Sequence, residues 1–342
     1  MSFFDCAHVV LRAALCICLM LAARFALAVD EATPIADAAA PSSREGGLAG
    51  LAQPVFEPPS SRLAHEPGAR EAAPTERSSN TKSPSVVDAA TLRNLYESAD
   101  QGSSSAMASL GTLFHLGMGV PQDDVEALDW YRRAADLGQA DAMNNIGTLY
   151  LTGHGTQQDY AEAMKWYQRA ADAGSLLAMG NIAELYAHGL GVERSYTEAS
   201  RWFQLASTQG SASAMNSLGL MYDTGIGVAQ DHHVAAALIK RSAALGYGPA
   251  MANLGSMYER GGGVEADPVE AYAWLDAALI AGLPAQARDV IVYRMGAMSA
   301  RLKREDLVLA MKRAAEIVDA ARAARQAPPA IGAQGAATQL LR

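Results

Sequence analysis

The residue types able to do covalent or metal chemistry are few, and their spacing argues against most of it. All three cysteines, Cys6, Cys16 and Cys18, fall at the start of the chain. No disulfide framework, thiolate metal site or cysteine nucleophile can be built from the residues that follow them. The histidines His154, His232 and His233 come with no His-Glu-x-x-His motif and no paired-ligand spacing, and no Gly-x-Ser-x-Gly elbow supplies a serine nucleophile. Glycine pairs such as Gly117 with Gly119 suggest a phosphate-cradling loop, but no Lys-Ser/Thr follows and no strand-like run precedes them, so they read as turns. The tryptophans recur at helical spacing beside small residues, which reads as packing rather than as stacking on a sugar or cofactor ring. The chain is therefore expected to hold no catalytic residue, no metal and no cofactor.

The elements that would position any site repeat along the chain. Ala106, Ala142, Ala178, Ala214 and Ala250 are each followed by methionine, giving five units of 36 residues (106–141, 142–177, 178–213, 214–249 and 250–285) without insertion or deletion. A fixed period of this length signals stacked supersecondary units. In each unit an apolar set such as Leu110, Leu113 and Phe114, or Ile146, Leu149 and Tyr150, has the three-and-four spacing of one helical face, which predicts a first helix, A. A small residue inside it (Gly111, Gly147, Ala183, Gly219 or Gly255) predicts close approach of a neighbouring helix. The glycine pairs from Gly117 and Gly119 to Gly261 and Gly263 end helix A.

A second helix, B, is announced by Asp123, Asp159, Ser195, Asp231 and Asp267, with Glu126, Glu162, Glu198 and Glu270 three residues on, the pattern of a capping box in four units of five. All four tryptophans, Trp130, Trp166, Trp202 and Trp274, share one column of helix B, and Trp166→Ala is expected to destabilise the fold, since truncating a buried large aromatic costs about 3–5 kcal/mol. Repeat four departs, with Leu238 and Ile239 for the aromatic pair and Val234 for the glutamate, and is expected to be locally weaker. Gly138, Gly174, Gly210, Gly246 and Gly282 close the B helices.

Together these residues spell Ala-x3-Leu-Gly-x2-Tyr-x2-Gly-x-Gly-Val, then Asp-x3-Ala-x2-Trp-Tyr-x2-Ala-Ala-x2-Gly. The pattern resembles the SEL-one-like repeat, a relative of the tetratricopeptide repeat, from Ala106 to Pro284. The resemblance implies an all-α solenoid, a right-handed superhelix of antiparallel helix pairs whose A helices line a concave surface that binds peptides or domains. Cysteine-rich relatives linked to penicillin binding use cysteines that residues 29–342 lack.

Outside the repeats, residues 1–28 read as a secretory signal peptide: Arg12, an apolar run from Ala13 to Ala23, and the small-x-small site Ala26-Leu27-Ala28. An uncleaved membrane anchor facing the periplasm is the alternative. Residues 29–90, with eight of the fourteen prolines, are expected to be a disordered linker, and 327–342 a disordered tail. Residues 91–102 and 285 to about 326 read as helical caps within a repeat domain spanning 91–326. Net charge is −9, and from residue 91 onward 26 acidic side chains face 20 basic ones, which disfavours nucleic acid as a partner.

The polar positions of helix A that avoid its apolar face are the candidate partner-binding set: Asn144, Asn145, Thr148, Asn181, Glu184, His188, Asn216, Asp223, Asn253, Glu259 and Arg260. Asparagine both donates and accepts, so a ladder of amides suits an extended partner backbone; equally, it suits a merely solvated face or clamps between adjacent repeats. The function expected is a non-catalytic adaptor or scaffold of the bacterial cell envelope, periplasmic or secreted, that binds another protein or peptide. Membrane contact would come only through an uncleaved N-terminal segment. The alternative is an envelope hydrolase or β-lactam-binding protein.

Overall fold

Residues 87–326 are described by the computed structural model and form thirteen helices, with no strand among the described residues. The expected signal segment, nearly all of the linker, the tail and the three cysteines lie outside the described residues. The first described helix starts slightly earlier than the sequence pattern suggests. Helix α1, Ala89–Asp100, starts inside the expected linker because Asp88 caps it, accepting the Thr91 amide at 2.7 Å.

Five helix pairs follow. They are α2 (Ser104–Leu116) with α3 (Asp124–Asp136), α4 (Ala140–Thr152) with α5 (Tyr160–Asp172), α6 (Leu176–His188) with α7 (Tyr196–Thr208), α8 (Ala212–Thr224) with α9 (His232–Ala244), and α10 (Gly248–Arg260) with α11 (Pro268–Ala281). Two more helices, α12 (Ala285–Ser299) and α13 (Arg304–Gln326), complete the described chain. Within the repeats each helix packs mainly on the ones before and after it in sequence, the arrangement of a solenoid, and α13 lies along α11 and reaches α9.

The glycines set the spacing at two points. A Cβ at Gly111 or Gly147 would sit 2.7 or 2.6 Å from the ring of Tyr131 or Tyr167, so glycine is what lets the B-helix ring lie on the A-helix backbone. In the loop, the first glycine of each pair is the left-handed C-cap of helix A. The second also has positive φ, and in repeats two to five a Cβ there would overlap the backbone at the start of the preceding repeat's B helix, Asp124 for Gly155 and His232 for Gly263. One residue thus turns the chain and seats it on its neighbour.

Every expected B-helix cap forms, but the capping box is only half present. Asp123 accepts the amides of Val125 and Glu126, and Asp159 and Ser195 accept those of Glu162 and Glu198. The reciprocal bond is missing because the cap residue's own amide is already used: Asp123, Asp159, Ser195, Asp231 and Asp267 donate to Phe114, Tyr150, Tyr186, Tyr222 and Tyr258 carbonyls at 2.9–3.0 Å. That bond ties the B helix to the preceding A helix. The released glutamates turn outward, where Glu126 and Glu270 accept the indole N–H groups of Trp130 and Trp274 at 3.0 Å.

The core column also differs from the expected one. Its centre is the residue after each tryptophan, or after Leu238 in repeat four: Tyr131, Tyr167, Phe203, Ile239 and Leu275 are all buried. Trp130 and Trp274 are buried beside this centre, whereas Trp166 and Trp202 are only half-buried, and the Arg169 guanidinium stacks 4.2 Å over the Trp166 ring. The departure in repeat four leaves no gap, since Ile239 is fully buried and Ser242, also fully buried, donates to the Ala212 carbonyl.

Chemical denaturation of Tyr167→Ala is expected to show a loss of about 3–5 kcal/mol, and Trp166→Ala less than half of it, because only the first opens a cavity in the core. Gly174 and Gly263 both have positive φ, but nothing lies within 4 Å of a Cβ at Gly174. Gly174→Ala should therefore cost only the ~1–2 kcal/mol of left-handed backbone, and Gly263→Ala clearly more. Equal midpoint shifts for the two would contradict the seating role.

Candidate functional site

The polar positions of the A helices fall on one face of the solenoid, and most of them bond to one another. Asn181 donates to the Oδ1 of Asn144 at 2.9 Å and Asn253 to that of Asn216 at 2.8 Å. Each bond joins residues 37 apart, one repeat plus one helical step, so these amides clamp repeat two to three and four to five. Asn144 and Asn216 are each 7% exposed and cannot meet a partner as they stand. Ala108 and Gly180 occupy the matching positions of repeats one and three, so clamps of this kind do not form at the other two junctions between these helices. These four asparagines form the bonds of a clamp between repeats.

A further candidate, Thr148, points inward, as does Thr112 at the same place in repeat one. Thr148 shares a hydrogen bond with the Tyr167 hydroxyl at 3.1 Å, and Thr112 with that of Tyr131 at 3.0 Å. Burial pushes both phenols above the ordinary tyrosine pKa; Asn145 joins Thr112 at the Tyr131 hydroxyl in opposing the rise. Repeats three and four have Phe203 and Ile239 in that column and Glu184 and Leu220 in place of the threonine, so a threonine appears only where a hydroxyl awaits it.

The charged candidates form bonds across and within repeats. Arg260 bonds the Asp223 carboxylate, which also accepts His232 Nδ1 at 2.8 Å, while Arg294 of α12 bonds Glu259 and Ser256. His115 and Asp124 occupy in repeat one the positions of Asp223 and His232 in repeat four, with the residue types exchanged; their Nδ1–Oδ1 distance is 2.6 Å and His115 is buried. Glu184 lies 3.3 Å from His188 one turn on, and this hydrogen bond raises the histidine's pKa above its ordinary value. His188, Glu259 and Arg260 keep exposed side chains.

Sequence reasoning missed two features. Leu177, 63% exposed, shares a stripe with Asn181, Glu184 and His188 on α6, at spacings of four, three and four residues. Its apolar type had assigned it no outward role. The side chains of Gln122, Gln158 and Gln230 donate to the carbonyls of His115, Leu151 and Asp223 at 2.8–2.9 Å, closing the end of helix A. Their recurrence one residue before the B-helix cap was the available signal. Among the described residues no group of three or more His, Cys, Asp or Glu side chains is placed to hold a metal ion, and no helix is long and apolar enough to cross a membrane.

Comparisons with known proteins agree with this geometry. The Sel1 repeat model matches five times, at residues 104–139, 140–175, 176–211, 212–247 and 248–283. These boundaries start where the A helices start, two residues before the alanines that framed the repeat in the sequence. A Sel1 repeat protein from Oxalobacter formigenes is 28% identical, with a TM-score of 0.56 over 69% of this chain and 100% of that one. A protective antigen present in uropathogenic Escherichia coli strains, displaying an SLR fold, is 29% identical with a TM-score of 0.54 over 66% of this chain. The chain spans about half of that antigen, 48% of its length. No curated protein shows significant sequence similarity. With five consecutive matches laid on five glycine-spaced helix pairs, the chain belongs to the Sel1 repeat family.

Proposed function

We propose that the protein is a non-catalytic scaffold of the bacterial cell envelope that binds a partner protein along its A-helix face. Sel1 repeat folds commonly mediate protein–protein interaction and are generally non-catalytic. The observation that favours this face is the α6 stripe, where an exposed leucine stands beside a Glu184–His188 pair. The centre of a protein contact is more apolar than its polar rim, and this stripe offers both. The partner is read as an extended peptide or a domain presenting one, and export to the periplasm or the medium rests on residues 1–28. The alternative envelope hydrolase or β-lactam-binding activity has no residue cluster in its favour among the described residues.

The face is tested by placing a photocrosslinking residue at Leu177 or, on a B helix, at Arg241, in cells of the native host. Adducts from position 177 but not 241 are expected, and the double variant Leu177→Glu, His188→Glu should lower partner capture at least tenfold with an unchanged melting curve. Adducts only from 241 would move the site to the other face. Turnover of nitrocefin or cell-wall fragments by residues 29–342 would replace the scaffold reading altogether.

Asn144→Ala separates clamp from contact. Removing the acceptor leaves the Asn181 amide unpaired at a half-buried position, at a cost of about 1–3 kcal/mol. The variant should unfold at lower denaturant while partner affinity stays within about twofold; the opposite pattern would return Asn144 to the binding set.

A further inference from the structure

The two ends of the described solenoid differ in charge and in cover. Helix α12 continues the register of the A helices, and five 36-residue steps carry Leu110 to Val290 and Leu113 to Tyr293. In the five complete repeats the first position is at most 1% exposed, as Leu110, Ile146, Ile182, Leu218 and Leu254. At α12 it is Val290, 56% exposed, and Tyr293 is 81% exposed. The reason is that α13 does not take up the B-helix place against α12, but runs along α11 toward α9. Val308, Leu309 and Met311 of α13 are exposed as well, beside an open concavity lined by Lys303, Arg304, Glu305 and Val308.

At the other end, α1 corresponds to a B helix: it occupies the place of α3 shifted back one repeat, and Gly102 takes the place of Gly138. No A-type helix precedes it among the described residues. Residues 88–136 hold eight acidic and three basic side chains, whereas residues 285–326 hold nine basic and five acidic, with Arg294 and Arg313 paired to Glu259 and Glu270 of repeat five and Lys303 and Arg304 in no ion pair among the described residues. Like ends repel and unlike ends attract.

We infer that the α12–α13 end is a docking surface for a second copy of the chain, whose acidic α1 end it receives head to tail. Charge selects this occupant, since pairing two α12–α13 ends would bring two basic surfaces together. The contact is heterologous, with different surfaces meeting, so copies add one after another rather than closing as a symmetric dimer. Apolar positions that a B helix covers inside the repeat stack would be covered by the neighbour, with Lys303 and Arg304 facing acids such as Glu97 and Asp100, all of them exposed.

The test is sedimentation of the chain without residues 1–28 across a concentration series, in low and high salt. The expected result is a mass rising past the dimer with concentration and falling as salt screens the ends. Reversal at one end, Lys303→Glu with Arg304→Glu or Glu97→Lys with Asp100→Lys, should weaken association at least tenfold, and both reversals in one chain should restore it. Tyr293→Glu should weaken it at either charge state, and circular dichroism checks that each variant is folded. A monomer at every concentration overturns the inference, as does a dimer indifferent to reversal at the α1 end. Binding to phosphatidylglycerol vesicles by a chain that stays monomeric would assign the surface to anionic lipid instead.

Discussion

Everything in this fold rests on backbones being allowed close together at glycine. Helix A lies against the ring of helix B at Gly111 or Gly147, and the loop lies against the previous repeat at Gly155, Gly191, Gly227 and Gly263. The first contact sets the spacing within a pair and the second sets the spacing between pairs. A side chain at the second would have to be left-handed and would also overlap a neighbour's helix start, so the two constraints fall on one residue type. The unbroken 36-residue register follows: an inserted residue would take the glycine off the helix that it seats on.

Most of the polar chemistry of the A helices goes into holding this stack. Asparagine pairs join adjacent repeats at two of the four junctions, threonine hydroxyls meet buried tyrosines, and the Arg260–Asp223–His232 group fastens repeat five to repeat four. A face tied together in this way would have less freedom to lose on binding a partner. The side chains left outside these bonds are a smaller set whose outward direction was set by helical phase.

The repeat, its two helices, the caps and the glycine turns were all legible in the chain, because each depends on residues within one 36-residue unit. The same locality misled where a local pattern had a second possible partner. Ser/Asp followed by Glu looked like a capping box, yet a carbonyl of helix A had already taken the cap amide. Tryptophan looked like the core column, yet Tyr167 is fully buried and Trp166 lies at its edge under an arginine.

Residues Asn144 and Asn181 state the division most plainly. Their type and position were enough to mark a recurring polar face and to name both of its uses, recognition or clamping, since an amide serves either. The choice between them needed the rise and rotation from one repeat to the next, which places residues 37 apart within 2.9 Å. By itself the sequence determined the period, the helix pairs and the family pattern, because hydrophobic spacing and glycine conformation act over a few residues. Only the tertiary structure decided which polar groups are consumed, which face stays open and where the stack is left uncovered, because those depend on what the neighbouring helix already occupies.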